Sequence, residues 1–256
     1  MESSAKHKSN ITAPHQKGRG KLGKLYLIPT TLGETENLNR VIPDYNLHIL
    51  RSLDVFIVEQ LRTARRFLKK AGHPKAIDDL LFFELNKYTD ENAISDYLQS
   101  AKNGESIGLI SEAGTPCVAD PGAAIVNLAH KNGIQVVPLV GPNSIILALM
   151  ASGFNGQQFV FHGYLPVESN QLKNKIREIE INSRRFDQSQ IFIETPYRNG
   201  KMLDSLLKNC KPQTLLCIAT NISLESENIQ TKSIAAWKNQ TPDFHKKPTV
   251  FLLYAK

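Results

Sequence analysis

Residues 107–122, Ile-Gly-Leu-Ile-Ser-Glu-Ala-Gly-Thr-Pro-Cys-Val-Ala-Asp-Pro-Gly, restrict the fold more than any other stretch of this chain. Ile107, Gly108, Leu109 and Ile110 follow a turn signal at Asn103-Gly104 and read as a buried strand. The run then breaks into small residues and restarts as a helix at Asp120-Pro121, running into Ala123, Ala124, Ile125 and Val126. Asp120 suits the N-cap and Pro121 the first helical position, where a missing N–H leaves no bond unmade. Strand, small-residue loop and helix start together form a ligand cradle at the edge of an open α/β sheet. Few side chains stand between the loop backbone and a ligand, so N–H and C=O groups can approach closely. A tight strand-to-helix connection with no ligand is the alternative.

The surrounding pattern sets the class. Strands are expected at residues 24–28, 55–58, 80–84, 107–110 and 135–140. Between them, helices are expected at 61–70, from Thr89-Asp90 through Leu98, at 123–131 and at 144–151. Thr89 with Asn92 makes an imperfect capping box, and Asn132-Gly133 is a suitable C-terminal stop. Strands alternating with helices predict a mostly parallel, doubly wound sheet. The second half brings strands at 159–161, 191–194, 214–219 and 249–254, with helices at 171–181 and 201–209. The expected fold class is therefore α/β, with two α/β domains whose sheets are mostly parallel or mixed. The expected boundaries are a tail at 1–23, one domain at 24–153 and a second at 154–256.

The net charge of +7 invites a nucleic-acid reading, but its distribution qualifies it. Residues 1–24 hold six cationic side chains against one carboxylate, a balance of +5 that leaves +2 for the rest. The basic character thus belongs to a polar tail expected to be disordered, able to touch RNA weakly and without sequence preference. Cys117, Cys210 and Cys217 form no C-x-x-C pair, and the seven histidines show no metal-ligand spacing, so no metal site is expected. No apolar run approaches the roughly 18 residues of a membrane span, and the N-terminus lacks an apolar signal core. A cytoplasmic protein is expected.

Six motifs occur in one order: Thr30-Thr-Leu-Gly33, Ser111-Glu-Ala-Gly-Thr-Pro116, Ala119-Asp-Pro-Gly122, Val140-Gly-Pro-Asn-Ser144, Phe161-His-Gly-Tyr-Leu-Pro166 and Ile193-Glu-Thr-Pro-Tyr-Arg198. Together they resemble the tetrapyrrole methylase superfamily, and within it the ribosomal RNA small subunit methyltransferase I branch. The resemblance covers residues 24–256. It implies a homodimer of two-domain subunits that bind S-adenosylmethionine (SAM) between the domains and methylate ribosomal RNA at a ribose 2′-hydroxyl. By that resemblance the cofactor would be held by Pro29, Ser111, Glu112, Ala113, Gly114, Thr115, Gly141, Pro142 and Ser144. Ile193, Glu194, Ala219, Thr220, Asn221, Pro248 and Thr249 would embrace its adenosine. Arg62 and Arg65 would bind substrate, and Glu59 and Glu84 are the candidate catalytic bases.

Methyl transfer from a sulfonium needs no metal, because the leaving group is already activated, and most of the rate gain comes from positioning. A ribose hydroxyl, however, needs a base to take its proton during attack. The chain departs from the family on this substrate side. Glu59-Gln-Leu-Arg-Thr-Ala-Arg65 stands where RNA-modifying members carry Glu-Asp-Thr-Arg-His-Thr-Arg, and Phe83-Glu-Leu-Asn86 replaces His-Glu-His-Asn. Thr220-Asn-Ile-Ser-Leu224 stands for Arg-Glu-Leu-Thr-Lys. Glu112 keeps a carboxylate where the family commonly has Asp. Two other readings remain open: a non-catalytic relative that binds SAM or RNA, and a methylase of a small tetrapyrrole-like acid.

Overall fold

The computed structural model describes residues 21–86, 89, 93–240 and 242–256. Most of the expected tail, and Asp90 and Asn92 of the expected helix start, lie outside the described residues.

Five strands form the first sheet: β1 (Lys24–Ile28), β2 (Val55–Val58), β3 (Leu81–Glu84), β4 (Ile107–Ile110) and β5 (Gln135–Pro138). They lie in the order β3-β2-β4-β1-β5, and every pairing is parallel. β2 and β4 are buried at every position, as continuous apolar runs in a parallel sheet must be. Helices α1 (Asp44–Arg51) and α2 (Leu61–Lys70) cover one face, burying Leu47, Leu50, Ala64, Phe67 and Leu68 against Phe56 and Val58. A short helix α3 (Gln99–Lys102) and α4 (Ala123–Lys131) cover the other, through Ala101, Ile125 and Ala129.

The second sheet holds β6 (Phe159–Tyr164), β7 (Ser189–Glu194), β8 (Leu215–Thr220), β9 (Asn228–Ser233) and β10 (Thr249–Tyr254), ordered β6-β7-β10-β8-β9. Only β6 and β7 pair in parallel; the rest is antiparallel. One face carries α6 (Ser169–Phe186), α7 (Asn199–Asn209) and α8 (Ile234–Trp237) over a core that includes Phe192, Phe251 and Trp237. On the other face lies α5 (Ser144–Ser152), packing Ile145, Ala148 and Leu149 against Cys217, Ala219, Val250 and Leu252. From the sequence, the helix at 144–151 is expected to close the first half. It has no charged residue, and the side it buries, with Ile145, Ala148 and Leu149, packs on the second sheet instead.

Several boundaries moved for identifiable reasons. Asp120 does not cap a helix at Pro121; α4 begins at Ala123, and the Asp120 carboxylate binds the loop before it. Residues 93–98 form a 3₁₀ helix ahead of α3 rather than an α-helix. The strand expected to reach 140 stops at Pro138, which brings no N–H to the ladder. α6 starts at Ser169 because Glu168 accepts from the Asn170 and Gln171 amides at 2.9 and 2.7 Å. β9, with the polar sequence Asn-Ile-Gln-Thr-Lys-Ser, carried no strand signal and is an edge strand. Among the described residues, no helix is long and apolar enough to cross a membrane.

Candidate functional site

β2 and β4 are hydrogen-bonded neighbours with Val58 opposite Ile110, so Glu59 and Ser111 leave the sheet side by side at its carboxyl end. From there the chain diverges: β2 leads through α2 to β3 at one edge, and β4 leads through α4 to β5 at the other. Connections that part in this way open a crevice, the usual ligand position in such sheets. A cavity of about 380 Å³ lies there, within the range of small-molecule sites. Glu59, Ser111, Glu112, Ala113, Val118, Ala119 and Asp120 form one side. Ile193, Glu194, Pro196, Ala219, Ile222 and the Pro248-Thr249-Val250 segment close it from the second sheet. Leu32, Ser144, Ile145 and Tyr164 complete the lining.

The loop after β4 is held in shape by its own polar groups. Ser111 Oγ donates to the Gly114 carbonyl, which also accepts from the Thr30 amide at 3.0 Å. Thr30 Oγ1 donates to the Ser111 carbonyl at 3.1 Å. The Asp120 carboxylate accepts from the amides of Cys117 at 2.9 Å and Gly122 at 2.8 Å. Between them, Cys117 and Ala119 adopt left-handed backbone at φ +67° and +63°. Each such residue costs on the order of 1 kcal/mol, which the carboxylate helps to offset. Asn143 ties this loop to the next: its Oδ1 caps α5 through Ile145 N at 3.0 Å, and its Nδ2 donates to Thr115 Oγ1 at 2.7 Å.

Behind the loop the packing leaves no room for side chains. Gly114 sits at φ +71°, and a Cβ there would stand 2.9 Å from the Pro142 carbonyl oxygen. A Cβ on Gly141 would meet Pro29 Cβ at 2.3 Å. Pro29, Gly114, Thr115, Gly141 and Pro142 therefore support the cavity wall without lining it.

The electrostatics of the first side are those of a cation receptor. Glu59, Glu112 and Asp120 share the cavity, and no lysine or arginine is among the described residues that line it. Burial raises the Glu59 carboxyl above the ordinary carboxylate value, and the charges of Glu112 and Asp120 add to the shift. Burial also raises Glu112, against the opposing pull of Thr63, the Gln60 main chain and the charge of Arg66. A positive ligand group placed among these carboxylates would relieve their mutual repulsion. Cys117 is inert beside them, its thiol pushed up to about 11 by burial and by Asp120.

On the opposite side Glu194 is buried at the end of β7. Its Oε1 accepts from the Thr195 amide at 2.7 Å. Its Oε2 lies 3.1 Å from Arg198 Nη2, an ion pair whose angles fall outside hydrogen-bond geometry, so that oxygen keeps acceptor capacity. Apolar Ile193, Ala219, Ile222 and Val250 line the same cavity, a setting suited to a flat heterocycle with polar edges.

Of the expected cofactor residues, Ser111, Glu112, Ala113, Ser144, Ile193, Glu194, Ala219, Pro248 and Thr249 line the cavity. Thr220 and Asn221 do not: Thr220 Oγ1 donates to the Asn228 carbonyl at 3.1 Å, and Asn221 Nδ2 to Ser226 Oγ at 2.9 Å, holding the β8–β9 turn. Of the two candidate bases, Glu59 lines the cavity and Glu84 does not. Glu84 Oε1 instead accepts from the Leu61 amide at 3.1 Å, at the first residue of α2. Arg62 and Arg65 lie on α2 outside the cavity, with Arg65 engaged to Asp78 at 2.7 Å. Sequence reasoning missed Asp120 as a cavity carboxylate because its N-cap signal explained it fully. Ile145, Ile222 and Val250 carry no sequence signal beyond being apolar; only the packing of α5 on the second sheet brings them to the cavity.

Comparison with known proteins gives this geometry a family. The sequence pattern of the Tetrapyrrole (Corrin/Porphyrin) Methylases matches residues 24–236. Ribosomal RNA small subunit methyltransferase I of Vibrio cholerae serotype O1 is 30% identical over 233 residues, which is 90% of this chain and 76% of that protein. The protein of the same name from Bacillus subtilis is 36% identical over 191 residues, 74% of this chain and 60% of the relative. The crystal structure of uroporphyrin-III C-methyltransferase from Thermus thermophilus complexed with S-adenosylhomocysteine has the same fold. It superposes with a TM-score of 0.53 at 16% identity, covering 91% of this chain and 97% of that one. The chain belongs to the tetrapyrrole methylases, a family of SAM-dependent methyltransferases.

Proposed function

We propose that this methyltransferase holds SAM in the cavity between its two sheets and transfers the methyl group to RNA of the small ribosomal subunit. One observation carries the cofactor assignment: Glu59, Glu112 and Asp120 stand on one side of a cavity of about 380 Å³, opposite an apolar side containing buried Glu194. The residues fit the group. The carboxylates match a sulfonium and an ammonium, and the Ile193, Ala219, Ile222 and Val250 side matches an adenine, with Glu194 and Thr249 at its polar edge. SAM supplies an activated methyl group whose departure leaves a neutral thioether.

The chain's own groups supply position and charge. Main-chain atoms of Ser111, Glu112 and Ala113 fix the ligand along a loop that Thr30 and Asp120 hold rigid. Glu112 and Asp120 favour a positive ligand, and Glu59 takes the proton of the attacking group. Burial and the neighbouring charges of Glu112 and Asp120 raise the Glu59 carboxyl, which makes its carboxylate a stronger base than an ordinary one. The RNA assignment rests on the names of the relatives and on the ordered motifs. Ribose 2′-O is the acceptor that the resemblance implies, and of the two expected bases, Glu59 and Glu84, Glu59 is the one that lines the cavity. With that substrate the protein works in the cytoplasm, and the resemblance adds a homodimer.

The test is transfer of label from methyl-labelled SAM to small-subunit ribosomal RNA taken from a strain lacking this protein. Label confined to one nucleotide supports the proposal. Calorimetric binding of SAM without any labelled RNA would keep the cofactor assignment and reject the substrate.

A further inference from the structure

We infer that α2 carries a phosphate-binding stripe that guides an RNA strand to the cavity mouth, an inference that rests on the RNA substrate proposed above. Over ten residues the helix holds Arg62, Arg65, Arg66, Lys69 and Lys70 with no carboxylate. Arg62, Arg66, Lys69 and Lys70 are exposed, and their spacing of i, i+4, i+7 and i+8 puts them on one face. The buried face is Ala64, Phe67 and Leu68, so packing fixes the direction in which the cations point. Arg65 lies off this stripe. Its guanidinium pairs with Asp78 at 2.7 Å and stands 5.8 Å from the centre of the Phe82 ring, which leaves it less available than its neighbours.

Two relationships place the stripe at the site. α2 begins two residues after Glu59, which lines the cavity. The charge of Arg66 also bears on Glu112, a second cavity residue. Among the described residues none of the four stripe cations forms an ion pair with a carboxylate; Asp78 is held by Arg65 and Glu84 is engaged at the Leu61 amide, while Glu112 feels the Arg66 charge without a direct pair. From Arg62 to Lys70 the helix rises about 12 Å, roughly three phosphate steps along one strand of a duplex. Four exposed cations at that spacing bind a chain of phosphates without reading its bases. They lead it toward Glu59, where the reacting nucleotide must sit. Local charge on the folded domain thus replaces what the basic residues 1–24 alone would supply.

The experiment compares the full-length protein with the Lys69→Gln/Lys70→Gln variant, both far enough along the helix to leave the cavity untouched. Affinity for in vitro transcribed small-subunit ribosomal RNA is measured by fluorescence anisotropy at several salt concentrations, and SAM affinity by calorimetry. The variant should bind RNA about tenfold more weakly, with the slope of log K against log [salt] reduced by about 1 to 2, and should bind SAM as the parent does. Arg62→Gln should lower the slope further. Unchanged RNA affinity and slope in the variant, with the parent binding RNA, would overturn the stripe and leave the substrate assignment standing. A parent that binds no RNA at any salt concentration would overturn both.

Discussion

Arg198 Nη2 lies 3.1 Å from Oε2 of Glu194, four residues earlier, and the pair fixes the carboxylate that faces the cavity from the second sheet. The Glu194 side chain is 1% exposed and that of Arg198 29%, so the carboxylate depends on the arginine for its charge compensation. Replacing Arg198 by Gln leaves a buried, uncompensated charge, and the loss of stability should be about 3 kcal/mol by urea denaturation. Glu194→Gln should cost less, because its amide oxygen can still accept from Thr195 N–H. Equal costs for the two variants would show that the pair does not carry the charge of this wall.

Glu59 yields a stability effect whose sign depends on pH. A carboxyl with a native pKa above its unfolded value favours folding while protonated. That contribution is complete below the unfolded value and is lost as pH rises through the native one. At pH 8, above the range in which that contribution operates, Glu59→Gln should raise Tm by about 1–3 °C. At pH 4 the gain should vanish. Methyl transfer by the same variant should fall at least about 100-fold. A variant that is less stable at pH 8 contradicts the burial-driven shift.

Glu59 and Glu112 both titrate above the ordinary carboxylate value, and both face the proposed position of a cationic ligand. SAM affinity should weaken as pH falls through that range, since protonation removes the charges that attract it. Glu112→Gln should bind SAM about tenfold more weakly at pH 8 and show a shallower pH dependence. Isothermal calorimetry across pH 5–8 checks both. A pH-independent affinity in the parent would remove the carboxylates from cofactor recognition.

Gly141 tests the packed support behind the loop. A Cβ there would lie 2.3 Å from Pro29 Cβ, two residues whose backbones cannot separate without moving β1 or the start of α5. Gly141→Ala should cost about 2 kcal/mol and weaken SAM binding, although Gly141 does not touch the cavity. Gly200 in α7, with nothing within 4 Å of its would-be Cβ, is the control: Gly200→Ala should be neutral or stabilising by up to about 1 kcal/mol.

Much of this was legible in the sequence because it is local. The apolar runs at 55–58 and 107–110 read directly as buried parallel strands, and the small-residue run 111–116 as the cavity loop. What was not legible is long-range. Nothing in Ser-Ile-Ile-Leu-Ala-Leu-Met-Ala-Ser assigns α5 to one sheet rather than the other, since a helix without a polar face has no preferred side. Glu84 stands with Glu59 as a candidate base because each is the acid retained in a family segment that has lost other titratable groups. Only the placement of β3 at the sheet edge shows that it meets the start of α2 instead of the cavity. Thr220 ends and Asn221 follows a strand that does reach the cavity through Ala219, yet the pairing and turn to β9, unseen in the sequence, draw both side chains away.

The decisive measurement is a crystal structure of the protein with S-adenosylhomocysteine. The thioether sulfur should lie beside the Ser111–Ala113 main chain, with Glu59 facing the position of the lost methyl group and the adenine against Ile193, Ala219 and Val250. A ligand bound outside that crevice, or one whose amino group avoids all three of Glu59, Glu112 and Asp120, would contradict it.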